Sequence, residues 1–351
     1  MQFHRTYLSS QVADKLAAEI RNGAWRDSLP GERKLADMFG VSRKTIRAAL
    51  VILVRIKTLR THRGRHIIVS RSVRGGGEPR KRVCLITGNY RADMQLFPRL
   101  EHVFTSSCYD LQMEMMPSRG SFGRWLEEIT GRGGISAWIL CSVSKEVQAW
   151  FERRGLPALI LGSRHDGINL PDLDVDYRAV CRHAAGTLLR LGHRRIIFLN
   201  LESDFAGDLA GEQGFLEAFA GVANGPECSR RILRHKGGRT QFCRLIERLF
   251  GEAFRPTAML VSGEGYMATA MWRLARLGLK IPQDVSVICR DDDPLFEYFM
   301  PSPACYRVDF DRFARRAVQL AVQLDQGVSL SPNSLRLMPR FIAGETIAGF
   351  R

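Results

Sequence analysis

Residues 29–65 read LPGERKLADMFGVSRKTIRAALVILVRIKTLRTHRGR, and this stretch decides the architecture of the N-terminal part. Pro30 fixes φ just ahead of a helix start, and Glu32 comes early enough in that helix to favour its positive end. Leu35, Met38 and Phe39 fall at i, i+3, i+4 and predict an apolar edge, which Gly40 terminates as a left-handed C′ residue. Val41 carries the chain across a tight turn, and the Ser42 hydroxyl is suited to cap a second helix over 42–56. In that helix Ile46, Ala49, Leu50 and Leu53 make a buried stripe, with Arg43, Lys44 and Arg47 on the other side near its start.

A helix that buries one face and offers cations, a hydroxyl and its own N-terminal amides on the other is built to approach phosphates and base edges. The segment 57–69 then reads as a short hairpin whose strands include Ile67-Ile68-Val69. Its tip, His62-Arg63-Gly64-Arg65, suits a minor groove or a flanking phosphate, because Gly64 permits close backbone approach. Upstream, residues 9–22 pattern as a Ser-capped amphipathic helix with Val12, Leu16 and Ile20 on one face, a support for the second helix.

With those residues in place, 8–69 resembles the winged helix-turn-helix of the GntR family of bacterial transcription regulators. The resemblance is carried by Leu16, Ile20, Gly23, Leu29-Pro30, Glu32-Arg33, Leu35-Ala36, Gly40-Val41-Ser42-Arg43, Thr45, Arg47, Ala49-Leu50, Leu53 and Gly64-Arg65. It implies DNA contacts from Arg33, Arg43, Thr45 and Arg47 around the second helix and from Gly64 in the wing. Ser42, Lys44, Arg63 and Arg65 complete the candidate DNA-binding set. Lys57-Thr58-Leu59 departs from the family, which usually has a glycine closing the second helix.

At 351 residues the chain is long enough for two or three full cores, and 45% hydrophobic with 25% charged residues is ordinary for a globular protein. No apolar run approaches the roughly 20 residues of a membrane span, and MQFHRTYLSS lacks a signal-peptide core, so a cytoplasmic location is expected. The net charge of +16 is concentrated at the front: residues 1–80 hold 17 Lys and Arg against 6 Asp and Glu, the remainder 35 against 30. That footprint points to a polyanion, and nucleic acid is favoured over a membrane surface because no helix pairs the charge with a wide free apolar face. The eight cysteines are evenly spread with no CxxC pair, and His183 and His193 have no Cys or carboxylate in register. Reduced thiols, no metal and no cofactor are expected.

Residues 70–81, SRSVRGGGEPRK, lack hydrophobic periodicity and read as a hinge, giving domains at 1–70 and 82–351 with a linker over 71–81. From Arg82 onward short apolar runs (82–87, 137–141, 158–161, 195–199, 258–261 and 285–289) alternate with helical stretches (95–107, 122–131, 144–154, 177–191, 264–277 and 311–325). Alternation of this kind predicts parallel sheets covered on both faces, and its extent predicts two lobes with a ligand cleft beyond the strands' carboxyl ends.

Residues 174–327 also resemble the LacI-type regulator core. The matching segments are Asp176, Leu191-Gly192-His193-Arg194-Arg195-Ile196, Gly214-Phe215, Leu277-Gly278-Leu279, Ile281-Pro282, Asp284-Val285-Ser286-Val287, Asp291-Asp292 and Arg307. The implied fold is that of the periplasmic sugar-binding proteins: two lobes, hinged by three crossings, that close on a small molecule, with the core also supplying a dimer interface. The fold expectation is therefore an α+β winged helix-turn-helix domain joined to an α/β two-lobe periplasmic-binding-protein-like domain. The family's sugar-binding arginine falls at Gly211 and its pocket asparagine at Gly263, Cys289-Arg290 replaces a Gly-aromatic pair, and Pro303-Ala304-Cys305 replaces Leu-Thr-Thr. Candidate ligand contacts are Tyr90, Asp204, Glu264, Arg290 and Asp291. Asp291 keeps a sugar-hydroxyl position, Glu264 equally fits a helix N-terminal acid, and Arg290 suits an anionic group.

These residues support a dimeric DNA-binding transcription regulator, foremost a repressor, acting on a double-stranded operator with inverted half-sites and controlled by a small-molecule effector such as a sugar or sugar derivative. A structural DNA binder with a vestigial ligand domain is the alternative. An α/β enzyme is disfavoured: no GxGxxG follows the first strand, and the chain has no P-loop, no GxSxG elbow and no metal-ligand cluster.

Overall fold

In the computed structural model the residues described are 12–13, 15–16, 19–20, 25, 28–55, 59–62, 65–68, 80–88, 95–117, 122–222, 229–251, 255–330 and 333–350. They divide into two units, Met1–Pro79 and Arg80–Arg351. Arg63, Gly64 and Tyr90, and the linker reading over 71–79, lie outside the described residues.

The N-terminal unit is organised by the predicted stripe. Ile46, Ala49, Leu50 and Leu53 of α2 (Arg43–Arg55) are all within 1% of full burial and pack with Leu16, Leu35 and Leu59. Helix α1 (Glu32–Phe39) ends at Gly40 with φ 62°, and the Val41 amide returns to the Ala36 carbonyl at 3.1 Å. One detail of the α1 reading is corrected. Met38 is 55% exposed, and the buried face is Leu35 and Ala36 with Phe39 beside them, because α1 rests on α2 one position round from the i+3 side. Strands β1 (Leu59–His62) and β2 (Arg65–Ile68) form the antiparallel wing, with His62 opposite Arg65.

The second unit carries two parallel sheets. The first has six strands in the order β13-β7-β6-β5-β3-β4, from β3 (Lys81–Thr87), β4 (Tyr109–Met115), β5 (Ile135–Cys141), β6 (Ala158–Leu161), β7 (Asp172–Val175) and β13 (Ser334–Leu337). Helices α3 (Phe97–Ser106), α4 (Phe122–Gly131), α5 (Lys145–Arg154) and α10 (Phe310–Asp325) cover it, and α10 buries Phe313, Ala317 and Val318 against Leu85, Ile139 and Leu159. The second sheet has the order β11-β10-β8-β9, from β8 (Arg195–Leu201), β9 (Ser229–His235), β10 (Ala258–Val261) and β11 (Ser286–Cys289). Its helices are α6 (Tyr177–Arg190), α7 (Ala206–Glu217), α8 (Arg239–Gly251) and α9 (Glu264–Arg276).

β12 (Cys305–Arg307) and β14 (Arg340–Ile342) pair antiparallel beside the second lobe. The chain thus passes between lobes after β7, after β12 and after β13. Continuous apolar runs such as ALIL and AMLV sit inside these sheets because both faces are covered.

The Gly192-His193 corner has a packing explanation. Gly192 takes φ 91°, and a Cβ there would lie 2.7 Å from the Phe350 carbonyl oxygen. The His193 ring is 2% exposed and reaches Thr257 Oγ1, Ser286 Oγ and the Ala348 carbonyl, each at 3.1 Å. No helix among the described residues is long and apolar enough to cross a membrane.

Candidate nucleic-acid interface and effector cleft

Ser42 stands at the start of α2 with its Oγ 3.1 Å from the Thr45 amide, which donates to it, and 2.8 Å from Thr45 Oγ1. The cap fixes where the helix begins and so where the next residues point. Arg33, Arg43, Lys44 and Arg47 are exposed, with 63% and 64% of the Arg43 and Arg47 side chains open to solvent. Thr45 is half-buried beside them. The cationic face predicted for α2 is therefore on the outside of its unit.

The sequence reading missed what holds that face. Glu32 of α1 accepts from Arg47 Nε at 3.0 Å and from Arg47 Nη2 at 2.7 Å, and its Oε2 is 3.9 Å from Arg43 Nη2. In the sequence Glu32 reads as a helix N-terminal acid and as part of the gntR resemblance, with no link to α2. No signal in the local spacing links it to a residue 15 positions away.

In the second unit the strands' carboxyl ends meet between the lobes. From the first lobe come Ser163, whose Oγ donates to Asp174 Oδ2 at 2.6 Å, and Asp174 itself. Burial pushes the Asp174 carboxyl up to about 6, against the opposing pull of Ser163 and the Val175 amide. From the second lobe comes the start of α7: a Cβ at Gly207 would lie 3.2 Å from Asp174 Oδ2 and 3.5 Å from Ser163 Oγ. Glycine lets the two lobes touch there.

Next to that contact is a charged cluster. Arg290, at the end of β11, has an 11% exposed side chain and donates from Nη1 to Asp208 Oδ1 at 2.6 Å. Its Nε is 3.4 Å from Asp291 Oδ2, and its guanidinium carbon lies 4.4 Å from the centre of the Tyr177 ring. Burial alone would lower the guanidinium, but Asp291 and Asp208 outweigh it and hold it above its ordinary value. Asp291 Oδ2 also accepts from the Gly263 amide at 2.8 Å, tying β11 to the start of α9. Of the predicted ligand residues, the structure brings Arg290 and Asp291 together. Asp204 is exposed on the loop after β8 and is one of the carboxylates acting on His165 across the cleft, where burial sets the net downward shift. Glu264 is exposed in the first turn of α9.

An anionic ligand would find the positive charge of Arg290 already balanced by two carboxylates. Burial pushes the Cys84, Cys181 and Cys305 thiols up to about 12, which disfavours the nucleophilic thiolate at these three.

Comparison with known proteins places both parts. Residues 8–69 match the sequence model of bacterial regulatory proteins of the gntR family, and residues 185–347 match that of a periplasmic binding protein-like domain. A gntR-type segment thus precedes a periplasmic-binding-protein-like domain. The curated relatives include the HTH-type transcriptional regulator reg1 of Streptomyces lividans, 25% identical over 198 residues, covering 54% of this chain and 55% of that one. The HTH-type transcriptional repressor PurR of Yersinia pestis is 27% identical over 165 residues, 46% of this chain and 47% of its own. The chain spans about half the length of the curated relatives it matches.

Among solved structures, a LacI family transcriptional regulator from Bifidobacterium animalis superposes with a TM-score of 0.70 at 19% identity, over 78% of this chain and 100% of the other. One from Enterococcus faecium, solved with bound ribose, gives 0.64 at 18%, over 77% of this chain and 100% of the other. At these identities the likeness shows the fold of the LacI-type part.

Within that core, Asp208 and Tyr177 were not singled out from sequence. Neither belongs to the quoted LacI-type segments, and their relation to Arg290 exists only once α6, α7 and β11 are packed. Gly211, where the arginine of that family would stand, faces Cys181 Sγ, from which its Cβ would be 3.2 Å away. The guanidinium of this chain enters instead from β11.

Proposed function

We propose that this chain is a sequence-specific DNA-binding transcription regulator, acting as a repressor, whose operator affinity is set by a small molecule held between the two lobes of its LacI-type core. The observation that carries the reading is the exposed Arg33, Arg43, Lys44 and Arg47 set around a Ser42-capped helix in a gntR-type winged unit. In this reading α2 enters a major groove, Arg43, Thr45 and Arg47 meet base edges, Arg33 and Lys44 meet phosphates, and the wing (Arg63, Gly64, Arg65) follows the flanking groove. The protein then works in the cytoplasm, where the DNA is.

The effector proposed is a neutral polyhydroxylated molecule of sugar size. Asp291 keeps an acceptor for hydroxyl groups, Asp204, Glu264 and Tyr90 are the further candidates, and one structure sharing the fold holds ribose. Homodimerisation is proposed through an open apolar groove of about 760 Å³ between α9 and residues 299–301, lined by Met271, Trp272, Phe299 and Met300. Trp272 is 58% and Met300 96% exposed, apolar area that association would remove from water. A two-fold dimer calls for an inverted-repeat operator with half-sites spaced by about 10 bp or a multiple of it.

The test is selection of bound duplexes from a random pool, followed by titration of the selected and random DNA at fixed salt. A regulator selects an inverted repeat and holds it roughly 10³-fold or more above random DNA. Equal affinity for both would overturn the reading in favour of a structural DNA binder. For the effector, ribose and related sugars raise the melting temperature of the full chain, and Asp291→Ala removes that rise.

A further inference from the structure

The carboxylate of Glu32 lies on a surface that the proposed function turns toward a polyanion, where a negative charge is a liability. It stays there by contact with the two arginines of α2. Both of its oxygens are engaged by Arg47, Oε1 with Nε at 3.0 Å and Oε2 with Nη2 at 2.7 Å, and Arg43 Nη2 stands 3.9 Å from the same Oε2. The Arg47 side chain is 64% exposed, and ion pairs this open to water contribute little to stability. Their geometric effect is larger. A guanidinium carries five N–H donors in one plane, and pairing through Nε and Nη2 uses its side edge. The end edge, made of Nη1 and the second hydrogen of Nη2, is left as a two-pronged donor held in a fixed orientation. A side chain that otherwise samples many rotamers is thereby set before DNA arrives.

We infer that Glu32 is a positioning residue for DNA readout: it holds Arg47 so that the end edge of the guanidinium meets the O6 and N7 acceptors of one guanine. Adenine is rejected at that position because it presents a donor, N6, beside N7. The inference rests on the DNA-reading role proposed above and adds to it the residue that fixes the contact and the base that is read. Glu32 makes this contact from the first turn of α1, where the helix end favours a negative charge. Its two expected effects on binding have opposite sign. It weakens attraction to any phosphate backbone, and it sharpens the choice of base.

That opposition supplies the test. Duplexes are selected from a random pool with the full-length parent, Arg47→Ala, Glu32→Gln and Glu32→Asp. Affinities are then measured on the parent's selected site, on the same site with the Arg47-dependent base changed to adenine, and on random DNA. The parent is expected to require guanine at the position where Arg47→Ala loses its preference. Glu32→Gln should bind random DNA several-fold more tightly, with a steeper salt dependence, and lose about tenfold in guanine-over-adenine discrimination. Glu32→Asp keeps the charge but shortens the reach, so its random-DNA affinity stays at the parental level while discrimination falls; a charge effect alone would leave discrimination intact. Thermal melting of each variant within about 2 °C of the parent shows that folding is not what changed. Undiminished discrimination in Glu32→Gln, or an Arg47-dependent base other than guanine, overturns the inference and leaves the regulator reading standing. A parent that selects no sequence at all overturns the regulator reading itself, and this inference with it.

Discussion

Replacing Arg290 by methionine is the most direct probe of how the cleft is held. Methionine keeps an unbranched apolar stem over the Tyr177 ring and removes only the charge. Asp208 and Asp291, whose side chains are 16% and 24% exposed, would then stand together with no cation between them. Removing one partner of a fully buried ion pair costs roughly 3–5 kcal/mol, because the remaining charge is left uncompensated. Here both carboxylates keep some hydration, and a cost of about 2–3 kcal/mol is expected.

In a unit of this size that cost lowers the melting temperature by roughly 5 °C or more. Arg290→Met combined with Asp208→Asn removes the like-charge pair, so the double variant should recover at least about 1 kcal/mol relative to the sum of the singles. Thermal and urea unfolding of the four proteins at pH 7 gives the cycle. Singles within about 0.5 kcal/mol of the parent, or strictly additive effects, would show that Arg290 does not organise this site.

Other consequences follow from buried groups. His235 is 2% exposed between Phe242 and Tyr266, at ring distances of 4.8 and 4.4 Å, with neither ring nitrogen hydrogen-bonded among the described residues, and burial lowers its pKa. The unfolded chain takes up that proton near pH 6.5 and the folded chain only at lower pH. Stability therefore falls as pH drops through 6.5, by up to about 1.4 kcal/mol per pH unit for this group. His235→Phe should match or exceed the parent at pH 7 and flatten the loss between pH 7 and 5, as read by unfolding curves across that range. Asp174 acts the other way, since its raised carboxyl takes up a proton in the folded state first and gains stability below about 6. Asp174→Asn should therefore steepen the acid loss. Gly214→Ala should destabilise the second unit by about 2 kcal/mol or more, because its Cβ would fall on the Arg178 carbonyl between α6 and α7. Ser42→Ala should cost the N-terminal unit about 1 kcal/mol through loss of the cap, measured by its melting temperature.

What the sequence disclosed follows the length scale of each signal. The stripe Ile46, Ala49, Leu50 and Leu53 and the runs ALIL and AMLV are local periodicities, and the elements they predict lie where the structure has them. Strands that carry charge were less legible. β7 reads DLDV, and its two aspartates argue against a buried strand until Arg336 is seen 2.6 Å from Asp172 and Ser163 on Asp174. β9 reads SRRILRH and lies at a sheet edge, where its arginines reach water and one of them, Arg234, pairs with Glu212. β4 alternates as YDLQMEM at the opposite edge of the other sheet. At the cleft, Asp291 was visible through its motif, whereas Asp208 and Tyr177 were not. Their meaning depends on Arg290, 82 residues from Asp208 in sequence, and no spacing rule reaches that far.

The route of the chain between the lobes has a consequence for synthesis. The first lobe is begun by β3 but takes its last helix and its outer strand from residues 310–337, and the second is completed only by residues 340–350. As the polypeptide leaves the ribosome, the N-terminal unit has its core residues, among those described, by Leu59, while both lobes wait for residues 310–350 with apolar strand faces uncovered. A nascent chain stalled near residue 309 would carry the N-terminal unit ahead of two unfinished lobes, making that interval the one in which a chaperone matters most.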